Sequence, residues 1–200
     1  MRALIMAGGE GSRLGRGEKP LTLICGRPMI SFVVDAFRKA GCEPVVVISP
    51  KTTMTANWCR AHGIAIVRTE GCGYIEDMVS AARYLDEDQP LIVSVSDIPC
   101  IGPDIISTIM KTYSECGMDA LSTWIPAGLV QSCRGGMPYR ELVGGIESCP
   151  AGVNILRGDH IGSGQEEYAL LLDEPRLALN VNTPADLARA VAIISAEPAR

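Results

Sequence analysis

The amino-acid sequence predicts an α/β protein built on one doubly wound, mostly parallel sheet with helices on both faces. Two observations carry that reading. Aliphatic runs such as 2–6 (RALIM), 44–49 (PVVVIS) and 91–95 (LIVSV) lack an apolar–polar alternation, as strands buried on both faces do. Between them lie stretches whose apolar residues recur at helical spacing, and strands alternating with helices imply parallel pairing through crossovers. At 200 residues, 47% of them hydrophobic, the chain suits one domain over 1–200 with a sizeable core.

The first strand, 2–6, runs directly into a glycine-rich loop. Residues 21–25 are extended before a turn at Gly26-Arg27-Pro28, and 29–40 (MISFVVDAFRKA) place Ile30, Val33, Val34 and Phe37 on one helical face. Gly41 stands where a helix ends in the left-handed conformation. Strand 44–49, a weaker helix at 53–62 stopped by Gly63, and strand 64–68 follow. A helix at 75–85 carries Glu76 and Asp77 in its first turn, where negative charge is favourable. Strand 91–95, helix 103–116 and strand 119–125 continue the alternation. Residues 126–150 contain five glycines and no long periodic segment, and a loop of that length inside a compact domain is usually functional. Residues 151–156 (AGVNIL) and 177–181 (LALNV) read as the last strands, and Thr183-Pro184 opens the final helix with an N-cap residue followed by proline at its first position.

The chemistry concentrates in residues 1–20. Ala7, Gly8, Gly9, Glu10, Gly11, Ser12 and Arg13 follow the first strand, and glycines at this density let backbone N–H groups approach a bulky anion. Arg13 offers a planar fork for phosphate oxygens and Lys19 a point charge. A polyphosphate fits this combination. It is not a Walker loop, because Lys19 lies between Glu18 and Pro20, and it is not a dinucleotide fingerprint, because the final glycine position holds Leu14. Asp97 follows a buried strand at the carboxyl edge of the sheet, where a carboxylate can hold Mg2+ together with substrate phosphates. Asn180 and Asn182 follow the last apolar run, and either suits a second, neutral ligand. Gly73, Tyr74, Glu76 and Asp77 form a glycine-led helix start at which a carboxylate can accept hydrogen bonds from a base or ribose; guanine offers N–H donors at N1 and N2.

Composition narrows the partners. A net charge of −5 and a pI near 5.1 argue against nucleic acid. No signal-peptide pattern opens the chain and no run of about 18 apolar residues occurs, so the expectation is a cytoplasmic protein without a membrane span. None of the eight cysteines is spaced Cys-x-x-Cys, and reduced thiols are expected.

The strand followed by AGGEGSRLG and EKP resembles the signature of nucleotidyltransferases, whose domain is a Rossmann-like sheet of the nucleotide-diphospho-sugar transferase type. Adding GYIED, VSVSDIP, PAGVNIL and LNVNT in that order, nearly the whole chain resembles the archaeal GTP:adenosylcobinamide-phosphate guanylyltransferases. The resemblance implies that Gly8, Gly9, Gly11, Arg13 and Lys19 hold GTP phosphates and that Asp97 binds Mg2+; a metal role for Asn182 resembles the related molybdopterin enzymes. It also implies GTP and adenosylcobinamide phosphate as substrates, with GMP transferred and pyrophosphate released. A phosphate nucleophile is already ionised near neutral pH and needs no general base, in keeping with the absence of His62 and His160 from every motif. Residues 126–150, with Met137, Pro138, Tyr139 and Leu142, are expected to form a flap for the acceptor. A molybdopterin guanylyltransferase and a non-catalytic nucleotide-binding module remain as alternatives, and assembly as a homodimer stays open.

Overall fold

The computed structural model describes residues 1–9, 17–130 and 139–196. Along the chain these form β1 (Arg2–Met6), a small hairpin of β2 (Leu23–Ile24) and β3 (Arg27–Pro28), α1 (Met29–Lys39), β4 (Glu43–Ile48) and α2 (Thr53–Ala61). Then come β5 (Ala65–Arg68), α3 (Tyr74–Tyr84), β6 (Pro90–Val95), α4 (Pro103–Cys116) and β7 (Ala120–Pro126). The chain closes with β8 (Glu141–Val143), β9 (Ile146–Arg157), β10 (Glu167–Leu171) and α5 (Pro184–Ala196).

The main sheet has the order β10-β7-β9-β6-β1-β4-β5, with β8 added to β9. β1 lies at its centre, parallel to both neighbours: Leu4 faces Val45 of β4 and Val93 of β6. Because β1 is buried on two faces, alternate residues enter different cores. Ala3 and Ile5 pack with Ile30, Val33 and Phe37 of α1, Cys59 of α2 and Ile106 of α4. Leu4 and Met6 pack against Met78, Ala81 and Ala82 of α3 on the other face. Phe37 is fully buried, and a side chain of that size stabilises the fold by about 1.5–3 kcal/mol on burial. Helices α1 and α2 end alike: Cys42 N–H reaches Phe37 O at 2.9 Å and Ile64 N–H reaches Cys59 O at 2.9 Å, across Gly41 and Gly63 at positive φ.

The doubly wound, mostly parallel architecture agrees with the sequence reading, but four elements differ from it. β9 runs antiparallel between β6 and β7, and it is longer than the expected 151–156 strand because it begins at a hairpin. That hairpin lies inside the segment read as aperiodic: Val143 pairs with Ile146 across Gly144 and Gly145, both at positive φ as a tight two-residue turn demands. The expected strand at 177–181 does not form. Pro175–Ala178 coil into a 3-10 turn, opened by the Glu174 carboxylate accepting Arg176 N–H at 3.0 Å. Leu177, Leu179 and Val181 alternate because they face a core, not because they join a ladder. The strand actually present, β10, sits at the sheet edge with Glu167, Tyr168 and Ala169 exposed, so it carries little apolar signal.

From β1 the chain moves outward to β4 and β5, then returns to place β6 on the other side of β1. Such a reversal opens a crevice beyond the carboxyl ends of the two strands. Among the described residues, no helix is long and apolar enough to cross a membrane.

Candidate active site

A cleft of about 470 Å³ occupies that crevice. Ala7, Gly8 and Gly9 line it from the end of β1, Ser96 and Asp97 from the end of β6, and Gly71, Gly73, Tyr74 and Asp77 from the start of α3; Lys19, Lys51 and Asn182 complete the polar wall. Gly8 lies against the end of β4: Ser49 Oγ donates to Gly8 O at 2.7 Å, and a β-carbon on Gly8 would sit 3.3 Å from Ser49 Cβ. The small residue lets the chain turn into the cleft at close range. Glu10, Gly11, Ser12 and Arg13 lie outside the described residues.

The centre of the cleft is a triangle of residues from three distant parts of the chain. Lys19 Nζ donates to Asp97 Oδ2 and, at 2.8 Å, to Asn182 Oδ1. The Lys19 and Asp97 side chains are only 15% and 16% exposed, so the pair is weakly screened. Asp97 Oδ1 is buried with no hydrogen-bond partner among the described residues. A buried acceptor left unpaired costs roughly 1–3 kcal/mol, and a carboxylate oxygen in that state at a cleft wall is suited to an incoming cation. The described residues contain no group of three or more His, Cys, Asp or Glu placed to cage a metal. One carboxylate oxygen with an amide oxygen near it is a donor set that Mg2+ can accept when phosphates supply its other ligands.

Asn182 is held by its surroundings. Val181 N–H donates to Asp97 O at 2.8 Å, which ties the chain before α5 to the end of β6. Asn180 Oδ1 accepts from Asn182 Nδ2 at 2.9 Å, so Asn182 turns its oxygen to Lys19 while Asn180 supports from behind. On the far side a reciprocal cap anchors α5: Asp186 Oδ2 accepts Thr183 N–H at 2.9 Å and Asp186 N–H returns to Thr183 Oγ1 at 3.2 Å. Burial alone would raise the Asp186 pKa; the hydrogen bonds from Thr183, Asn182 and Arg189 outweigh it and hold it below the ordinary value. The sequence reading has Thr183 as the N-cap but misses its reciprocal partner Asp186, although Thr-x-x-Asp before an apolar helix is the signal.

The start of α3 separates the residues expected to read the nucleoside. Asp77 is buried, lines the cleft, and accepts Gly71 N–H at 3.0 Å, so it braces the glycine turn. Glu76 is exposed and does not line the cleft. Tyr74 leaves 41% of its surface to solvent, yet burial near its hydroxyl, and secondarily the Asp97 charge, push its pKa up to about 12. It is therefore a neutral donor at any physiological pH. None of the seven cysteines among the described residues is in a disulfide, and burial pushes the Cys59 thiol up to about 11, which leaves it protonated and inert.

The chain as a whole has counterparts among known proteins. Residues 3–152 match the MobA-like NTP transferase domain. The adenosylcobinamide-phosphate guanylyltransferase of Methanocaldococcus jannaschii is 33% identical over 199 residues, covering 94% of each chain. Among solved structures, molybdopterin-guanine dinucleotide biosynthesis protein A from Archaeoglobus fulgidus superposes with a TM-score of 0.69 at 18% identity, covering 98% of this chain and 100% of that one. A transferase structure from Thermus thermophilus gives 0.70 at 19% identity, with 94% and 100% covered. The two superpositions share the fold. The domain match and the full-length relative go further: the chain belongs to the MobA-like NTP transferase family.

Proposed function

We propose that this protein is a guanylyltransferase that moves the GMP of GTP onto the phosphate of adenosylcobinamide phosphate and releases pyrophosphate. The observation that carries the transferase half is the triangle of Lys19, Asp97 and Asn182, with one Asp97 oxygen buried at the cleft wall and unpartnered among the described residues. The acceptor rests on the full-length similarity to the Methanocaldococcus enzyme. As one unit over 1–200, the chain would bind the triphosphate over Gly8 and Gly9, with Arg13 and Lys19 on its oxygens and the nucleoside toward Gly73, Tyr74 and Asp77.

Asp97, with Asn182 beside it, would hold Mg2+. When bound, the ion neutralises charge on the phosphate oxygens. A phosphate oxygen of the acceptor attacks the α-phosphorus of GTP, the bond to the β-phosphate oxygen breaks, and pyrophosphate leaves carrying the electron pair. Lys19 meets the charge that develops on the leaving group. No side chain need take a proton, since an alkyl phosphate is largely dianionic at neutral pH. The chain's contribution is positioning and charge neutralisation.

The β8–β9 hairpin is the part of the chain that would receive the acceptor. β9 pairs with β6 only up to Val153, and residues 146–151 extend past the carboxyl end of β6. Tyr139 and Leu142 are 62% and 75% exposed there, apolar surface suited to a corrin ring; Met137 and Pro138 lie outside the described residues. Free cysteines suit a reducing cytoplasmic setting. Incubation with GTP, Mg2+ and either adenosylcobinamide phosphate or molybdopterin, followed by pyrophosphate release, tests the proposal. Release with the cobinamide alone is expected; release with molybdopterin alone refutes the acceptor, and release with neither refutes the transferase.

A further inference from the structure

Glu18 precedes Lys19, but its carboxylate turns away from the cleft. Oε1 accepts Met54 N–H at 2.7 Å; Oε2 accepts Thr55 N–H and Thr55 Oγ1, both at 2.6 Å. Met54 and Thr55 are the second and third residues of α2, whose first-turn N–H groups have no partner inside the helix. The residue in the capping position, Thr52, is engaged elsewhere: its hydroxyl accepts Ser49 N–H at 3.1 Å and leaves α2 uncapped from its own sequence. Glu18 supplies the cap from a remote part of the chain, and an anion at a helix N-terminus is favoured by the helix dipole.

The same residue opens the turn that presents Lys19. Leu21 N–H donates to Glu18 O at 3.0 Å and Thr22 N–H to Lys19 O at 3.1 Å, closing a 3-10 turn over Lys19–Leu21 with Pro20 buried. Lys19 thus springs from a tight turn that is bolted to α2 on one side and reaches Asp97 and Asn182 on the other. We infer that Glu18 is a positioning residue, whose carboxylate fixes the turn on α2 so that the Lys19 ammonium is already at the phosphate site before nucleotide arrives. The inference rests on the reading of Lys19 as a phosphate partner. Preorganisation of this kind raises affinity by removing an ordering cost at binding.

A double-mutant cycle tests it. GTP affinity is measured by calorimetry for wild type, Glu18→Ala, Lys19→Ala and the double variant, with melting curves and amide exchange at Met54 and Thr55. Glu18→Ala should weaken GTP binding about tenfold, and less than about twofold when Lys19 is already alanine. Its loss of thermal stability should be alike in both backgrounds, because the helix cap does not depend on Lys19. Equal loss of affinity in both backgrounds overturns the inference, as does unchanged exchange at Met54 and Thr55. If Glu18→Ala does not fold, Glu18→Gln, which keeps one accepting oxygen, takes its place in the cycle. A wild type that binds no GTP refutes the phosphate role of Lys19 instead, and the amide exchange still reads the Glu18 contact by itself.

Discussion

Replacing Asp97 with asparagine separates the chemical role of this carboxylate from its structural one. The amide keeps an oxygen that can accept from Lys19 Nζ but removes the charge. Lys19 stays charged, so its bond to the amide oxygen remains charge-assisted, and losing the ion pairing should cost about 1 kcal/mol of that contact. Part is returned at Oδ1, because an unpartnered neutral atom is less costly to bury than half of an unpartnered anion. For a domain of this size the net change corresponds to a fall in Tm of about 2–4 °C at most. Catalysis should suffer far more. A preorganised group facing developing charge is worth about 2.7–4 kcal/mol, a loss of about 10²–10³ in turnover. Melting curves and pyrophosphate release, each across a Mg2+ titration, decide the matter. A folded variant with wild-type turnover and wild-type Mg2+ dependence would refute the reasoning, and so would a loss of turnover that merely tracked loss of the fold.

Lys19→Ala should slow turnover at least about a hundredfold and lower stability by about 1–3 kcal/mol, because both Asp97 oxygens then lack partners; steady-state kinetics beside a urea melt check both. Arg13→Ala should slow turnover in the same assay while leaving the urea midpoint in place. For Asp186, whose folded pKa lies below its unfolded value near 3.8, the unfolded chain binds the proton more readily, so its stabilisation is present above about pH 4 and lost as pH falls through the folded pKa. Urea melts from pH 6 to about pH 3 should show a shallower acid loss in Asp186→Asn than in wild type; parallel curves would remove Asp186 from the acid response. Guanine should be preferred over adenine, since a site hydrogen-bonded to N1–H and N2–H leaves acceptors unpaired with ATP; equal affinities for GTP and ATP in calorimetry would count against it.

The sequence disclosed most where local pattern and tertiary role coincide. β1, β4 and β6 are apolar apart from Arg2, Glu43 and Ser94 because the sheet buries both their faces, and Gly41 and Gly63 end helices as glycines at those positions should. Strand-end and loop context singled out Asp97 and Lys19 as candidate site residues, and the fold joins them across 78 positions of sequence. What stayed hidden depends on contacts that no local pattern encodes. Glu18 reads as part of a phosphate-loop motif, but its carboxylate caps a helix whose start lies more than thirty residues away. Asn180 and Asn182 were indistinguishable by alternation until the Val181–Asp97 bond fixed which of them faces Lys19. β10 was missed because an edge strand with an exposed face lacks the apolar run that marks a central one.

The most direct test of the account uses GTP labelled separately at the α- and the γ-phosphorus, incubated with the protein, Mg2+ and adenosylcobinamide phosphate. Attack at the α-phosphorus requires the α-label to appear in the cobinamide product and the γ-label in pyrophosphate, with both transfers lost in Asp97→Asn. Label from the γ-position in the cobinamide, or no label there at all while GTP remains bound, would contradict it.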